Sequence, residues 1–334
     1  VEIKWAMLSS RIFVFILALL SSAIDPAPVA HWGSDCRRNR TDPMIHNQLG
    51  DKQQIILDAL ASESLAVSYH LYDPTGNLDI SAGRAVPFHA ASTFKAGILM
   101  AAVYISQSEK KSLREMVRVR NSFRSVVGRK IFSVPLGDKN FRKDKTPDYL
   151  DGEVPLYFLL QDMISNSSNL ATNLVIEHFG RKKISRVLRN TFGLREFHLR
   201  RLLYDTPAHE RCIDITVTPR TYTSMYPLIF SDIFSQESKQ FLYETLSSPI
   251  HREGIPALLP SHFTVYFKPG NTEQIVADAG AVIPPDGKPY YFSAFIAYYK
   301  DKTEARNAIA RASLAACQMV AAARDNTFSC GTTE

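Results

Sequence analysis

Ala90-Ala91-Ser92-Thr93-Phe94-Lys95-Ala96-Gly97-Ile98-Leu99 sets a serine and a lysine three residues apart, at the head of a run that stays apolar to Ile105. Residues 94–105 are apolar nearly all round, so they are expected to form a buried central helix. At that spacing Ser92 and Lys95 share one helix face, within reach of each other. A serine hydroxyl attacks poorly until a base takes its proton. A lysine can take it when burial and neighbouring cations lower its pKa. The start of the helix also brings free N–H groups to the serine, suited to stabilising an oxyanion.

Outward from this run the pattern changes twice. On the N-terminal side, residues 53–60 carry an amphipathic helical pattern and Leu65 to Tyr72 reads as a strand. Asp73-Pro74-Thr75-Gly76-Asn77 is a turn, with Leu78 to Ser81 as its hairpin partner. From about residue 108 to 250 the chain reads as helices with polar connections, clearest at 156–164, 168–179 and 222–230. Strand patterns return at 263–267, 275–283 and 290–299, with a strong turn at Pro284 to Pro289. An alanine-rich helix, 303–323, closes the chain. Strands at both ends around a helical middle predict an α/β (α+β sandwich) fold. One antiparallel sheet is built from both termini and flanked by helices, with an inserted all-helical lobe. The cleft between lobes is the expected ligand site.

Composition narrows the class. The chain has 334 residues, 45% of them hydrophobic, which is ample for a core and excludes a disordered protein. Lys4 and Arg11 precede an apolar run, Ile12 to Leu20, followed by Ser21-Ser22-Ala23. That run is about half the length of a bilayer span, so residues 1–23 are expected to be a cleaved signal peptide. Secretion or delivery to a periplasm follows, with no stable membrane span afterwards. Residues 24–45 are a polar segment, and Cys36 lies too far past the apolar run to be a lipid-attachment site. Export fits the cysteines Cys36, Cys212, Cys317 and Cys330, which allow three disulfide pairings. Their spacing, without a Cys-x-x-Cys or His-x-x-x-His pair, argues against zinc, and no metal is expected. The net charge of +6 is concentrated in 118–145 and 181–201 and reads as solvated helix faces, not as a nucleic-acid surface.

The Ser-x-x-Lys spacing alone is weak evidence, because the chain carries a second copy, Ser108-Glu109-Lys110-Lys111. That copy lies in a charged stretch with nothing to desolvate its lysine. Two further motifs distinguish the first copy. Ser167-Ser168-Asn169 opens a helical segment that continues Leu170-Ala171-Thr172-Asn173, and Lys268-Pro269-Gly270 ends an apolar strand. Ser-x-x-Lys, Ser-x-Asn and Lys-x-Gly in this order make up the signature of class A β-lactamases and penicillin-binding proteins. Only the variable middle positions of the second and third motifs differ.

Residues 90–99 resemble the nucleophile helix of class A β-lactamase-like serine hydrolases. Residues 167–177 are similar to a branch in which Ser-Ser-Asn is usual. Val119-Arg120-Asn121-Ser122-Phe123, Thr218-Pro219-Arg220 and the stretch Asp278 to Gly287 also match, so the resemblance covers about residues 46–325. It implies an α/β lobe over about 46–91 and 255–325, a helical lobe over about 92–254 and a tail over 326–334. It also implies a cofactor-free monomer acting on a β-lactam or peptidoglycan-like small molecule.

In residue terms, the resemblance implies that Ser92 is acylated and Lys95 takes or relays its proton. Ser167 passes a proton to the departing nitrogen, with Lys268 tuning its hydroxyl. Asn169 binds the substrate amide and helps hold Lys95. The N–H groups of Ser92 and Asn271, the latter directly after Gly270, form the oxyanion hole. As bare residues, Ser167 reads equally as a helix cap and Lys268 as a surface lysine.

One part is missing. Class A enzymes place a glutamate in the loop before Thr-Pro-Arg, where it activates the deacylating water. Counted back from Thr218, its position falls near Leu203 or Tyr204, and neither can act as a base. Asp205 is the nearest carboxylate and the candidate replacement, its alternative being a loop-closing side chain.

Overall fold

The computed structural model describes residues 50–331, apart from 62–65, 84–86 and 137–142. The expected signal peptide, the polar segment before residue 46 and the last three residues lie outside the described residues. In chain order, helix α1 (Asp51–Ala61) precedes strands β1 (Ala66–Asp73), β2 (Leu78–Gly83) and β3 (Phe88–His89). Helix α2 (Phe94–Ser108) is followed by β4 (Met116–Arg118), β5 (Phe123–Arg124), β6 (Ile131–Phe132) and β7 (Glu153–Pro155). Then come α3 (Leu156–Ser165), α4 (Asn169–Phe179), α5 (Arg181–Arg186), β8 (His198–Leu199), α6 (Thr206–Glu210) and β9 (Ile215–Val217). Helices α7 (Pro219–Met225) and α8 (Gln236–Ser247) lead to β10 (Thr264–Asn271), β11 (Ile275–Ile283), β12 (Tyr290–Ala297) and α9 (Lys302–Ala323).

The sheet has the order β10-β11-β12-β1-β2, and every pairing is antiparallel. It is the expected single sheet built from both ends of the chain. Side chains alternate between its faces, as a period of two requires. Val67, Tyr69 and Leu71 of β1 and Phe292, Ala294 and Ile296 of β12 pack with Ile309, Ala312 and Val320 of α9. Ala277, Ala279 and Ala281 of β11 and Phe295 of β12 face the other way, into the core around α2. With both faces covered, β12 is buried from end to end.

Helix α2 is the expected central helix. From Phe88 to Val103 every residue is buried except Ser92, so along this stretch the surface reaches the chain at the serine alone. Gly97 lets α2 come close to the following layer, since a Cβ there would stand 2.5 Å from the ring of Phe197.

The middle of the chain departs from the all-helical expectation. β4 pairs with β7, β5 with β6, and β3-β9-β8 form a small separate sheet. Strands of two or three residues leave no alternation to read in a sequence. The helical reading of 222–230 also shifts: α7 begins at Pro219 behind the cap Thr218, and the chain tightens to a 3₁₀ turn over Tyr226–Phe230. Pro227 lacks the N–H that an α-helix would need there. Near the C-terminus, Cys317 and Cys330 are joined by a disulfide, and Arg324 donates to the buried Asp73 at 3.0 Å. The disulfide fastens the tail to α9, and Arg324 fastens the end of α9 to the turn between β1 and β2. No helix among the described residues is long and apolar enough to cross a membrane.

Candidate active site

Three segments converge around Ser92 and Lys95. The first is the turn into α2. Ala91 holds a left-handed φ of 46°, the N–H of Ala90 donates to the carbonyl of Ile215 at 3.0 Å, and Thr93 Oγ1 bonds the Tyr222 hydroxyl at 2.7 Å. The second is β10. A Cβ on Gly270 would stand 2.6 Å from the Ser92 nitrogen and 2.8 Å from that of Thr93, so only glycine lets this strand pass the helix start. Asn271 follows at the exposed end of the strand.

The third segment is the turn between α3 and α4. Ser167 takes a left-handed φ of 60°, and Ser168 caps α4 by accepting the N–H of Ala171 at 3.0 Å. Asp162 braces this turn, its carboxylate accepting from Asn166 Nδ2 at 2.6 Å, from the Thr146 N–H at 2.9 Å and from the Thr146 hydroxyl at 2.5 Å. Asn169 then projects from the first turn of α4.

Lys95 ties the first and third segments together. It is fully buried, and its Nζ lies 2.6 Å from the carbonyl of Ser167, 3.2 Å from Ser167 Oγ and 2.7 Å from Asn169 Oδ1. Burial, and next the cation of Lys268, push its pKa well below the usual lysine value, while Asp144 and Asp162 work the other way. Lys268 is buried too. Its Nζ donates to the carbonyl of Pro269 at 2.9 Å, and burial lowers its pKa to about 7 against the pull of Asp278. Two buried lysines beside each other favour a neutral amine, the form that can accept a proton.

Of the sequence candidates, Lys95, Ser167 and Asn169 therefore form one hydrogen-bonded group. Gly270 lies against the Ser92 nitrogen, with Asn271 next to it. Lys268 neighbours Lys95 electrostatically, but its hydrogen bond goes to its own strand rather than to Ser167.

Asp205 is differently placed. It is fully buried and caps α6, accepting from Ser125 Oγ at 2.6 Å, the Val126 N–H at 2.9 Å and the Ala208 N–H at 3.3 Å. This is the loop-closing geometry that was its alternative. Asn173 holds the neighbouring peptide from both sides. Its Nδ2 donates to the carbonyl of Leu203 and its Oδ1 accepts the N–H of Leu203, each at 2.9 Å. The loop is further closed by Arg201, which donates to Asp214 at 2.9 and 2.7 Å. Sequence reasoning missed Asp162 and the Arg201–Asp214 pair. Their partners are distant in the chain or follow no fixed spacing, so no local pattern marks them.

Comparison with known proteins gives the family and the fold. The sequence pattern of the beta-lactamase enzyme family matches residues 52–320. A beta-lactamase from Bacteroides uniformis is 28% identical over 248 residues, spanning 68% of this chain and 77% of that protein. The structure of PBP-A superposes with a TM-score of 0.68 at 21% identity, covering 81% of this chain and 96% of that one. A class A beta-lactamase from Bacteroides cellulosilyticus gives 0.66 at 20% identity, with 83% and 98% covered. These two superpositions show a shared fold. The family match covers most of the chain, which belongs to the beta-lactamase enzyme family as a serine hydrolase of the class A fold.

Proposed function

We propose that this chain opens β-lactam rings through an acyl-enzyme on Ser92, with release of the acyl group as the slow step. The observation that carries the proposal is the environment of Lys95, a buried amine with depressed proton affinity, one turn on from Ser92 and hydrogen-bonded to Ser167 and Asn169. In the step proposed, Lys95 Nζ takes the Ser92 proton as Oγ attacks the carbonyl carbon. The Ser92 N–H, with that of Asn271, receives the developing negative charge on oxygen. The carbon–nitrogen bond then breaks. The departing nitrogen takes the proton of Ser167 Oγ, which is restored from Lys95 Nζ across their 3.2 Å contact. Lys268 supplies the neighbouring charge that lowers the proton affinity of Lys95, and Asn169 orients the substrate amide while fixing Lys95.

Release needs an activated water. Leu203 or Tyr204 falls where a class A enzyme would carry its glutamate, and the Asp205 oxygens are engaged by Ser125, Val126 and Ala208. Loss of general-base help costs about 10²- to 10⁴-fold in rate. That observation favours a second reading on the same machinery: a D-alanyl-D-alanine peptidase or small-ester hydrolase that a β-lactam blocks for long periods. Intact-mass spectrometry with penicillin G separates the two. An adduct that forms and decays with turnover supports the β-lactamase, and one that persists supports the peptidase. We further place the protein outside the cytoplasm, as a monomer. The signal-like residues 1–23 support export, as does the Cys317–Cys330 disulfide, a bond that oxidising compartments maintain.

A further inference from the structure

His89 belongs to none of the three motifs, yet it is buried two residues before the left-handed Ala91 and three before Ser92. Strand β3 pairs with β9 so that His89 stands opposite Thr216. Its ring faces two ways. Nδ1 accepts the backbone N–H of Ala91 at 3.1 Å. A peptide N–H can only donate, so Nδ1 keeps its lone pair and the ring proton sits on Nε2. Nε2 lies 3.4 Å from Asp214 Oδ1.

Asp214 is the loop-closing carboxylate already described. It also accepts the N–H of Ile215 at 2.8 Å and lies 3.3 Å from His209 Nδ1. Burial alone would push its proton affinity up, but His89, His209 and Arg201 together hold it well below the usual carboxylate range. The group that closes loop 201–214 therefore also fixes the tautomer and the plane of the ring that grips Ala91.

Ala91 needs that grip. An L-residue adopts φ near 46° reluctantly, and the peptide that follows it carries the Ser92 N–H. Relaxation of Ala91 would turn that N–H away from its place beside Gly270. Resting on the reading that Ser92 is acylated, we propose that His89 is a positioning residue. Its Nδ1 holds Ala91 left-handed and so aims the Ser92 N–H at the developing oxyanion. The bond runs from a side chain to the N–H two residues on, the arrangement that asparagine and aspartate make in Asx-turns.

Asparagine can reproduce the Nδ1 bond to Ala91, whereas glutamine reaches only the Nε2 position facing Asp214. The test follows penicillin G labelling by intact mass in the unaltered protein, His89→Asn and His89→Gln, with thermal midpoints alongside. His89→Gln is expected to acylate about tenfold more slowly at saturating penicillin, the loss of one hydrogen bond felt in the transition state. His89→Asn is expected to keep most of the rate although it gives up the contact with Asp214. The reverse order, or equal rates, overturns the proposal, because a purely structural link to Asp214 favours glutamine. If His89→Gln does not fold, the comparison runs with His89→Ala in an Ala91→Gly background. Glycine needs no help to be left-handed, so the loss there should nearly vanish, and a full tenfold loss overturns the proposal. Failure of the nucleophile reading looks different: no labelling of the unaltered protein, or undiminished labelling of Ser92→Ala.

Discussion

The two Ser-x-x-Lys copies sit at opposite ends of α2 and have opposite surroundings. Lys95 has no solvent-exposed surface, and its amine is enclosed by Ser167, Asn169 and the field of Lys268. Lys111 lies past the last turn with its side chain half exposed, 3.3 Å from Glu109, and Ser108 merely returns a hydrogen bond to the carbonyl of Ile105 at 3.0 Å. The same spacing thus gives a candidate base in one place and a solvated ion pair in the other. Desolvation and a second cation create the chemistry, and the motif only brings the two side chains within reach.

The comparison breaks most visibly at the lysines. Lys95→Ala is expected to slow acylation by about 10²- to 10⁴-fold, while Lys111→Ala leaves it unchanged, both read from the labelling rate with penicillin G. A smaller effect separates acylation from release. Asn173 already clamps the Leu203 peptide to α4, the helix that carries Asn169. Leu203→Glu should therefore shorten the life of the adduct by about a hundredfold or more with little change in its formation. The time course of adduct mass checks this.

The pH dependence is smaller again. Lys95 can act as a base only when unprotonated, so acylation should fall as pH drops through its lowered pKa. Removing the Lys268 cation favours protonated Lys95, so Lys268→Met should move that limb to higher pH. An unmoved limb would mean that burial alone sets the amine. The smallest effect is at Asp205. Asp205→Asn should cost about 1–3 kcal/mol of stability through its bonds to Ser125 and Val126, and leave adduct decay unchanged. Denaturant unfolding and the mass time course read the two halves separately.

Much of this was legible before any coordinates. The alternation of β1, the short and mostly apolar runs of β11 and β12 and the all-round apolar run of α2 are signals that burial writes directly into a sequence, and they place the sheet and the central helix. The short strands β3, β8 and β9 carry too few residues to alternate, so their small sheet was invisible, and with it the setting of His89. The roles of Asp162 and Asp214 depend on partners brought together only by the fold. Asp205 shows the limit from the other side: its carboxylate was visible in the sequence, but its bonds to the segment at Ser125 were not.

The most direct measurement is the site of acylation. Penicillin G is added to the folded protein, the intact mass is followed and the labelled protein is then digested and mapped. The predicted result is one adduct carrying the whole drug mass, since ring opening expels no fragment, located on the peptide containing Ser92 and lost in Ser92→Ala. An adduct on the peptide containing Ser108, or one that survives Ser92→Ala, would contradict the account.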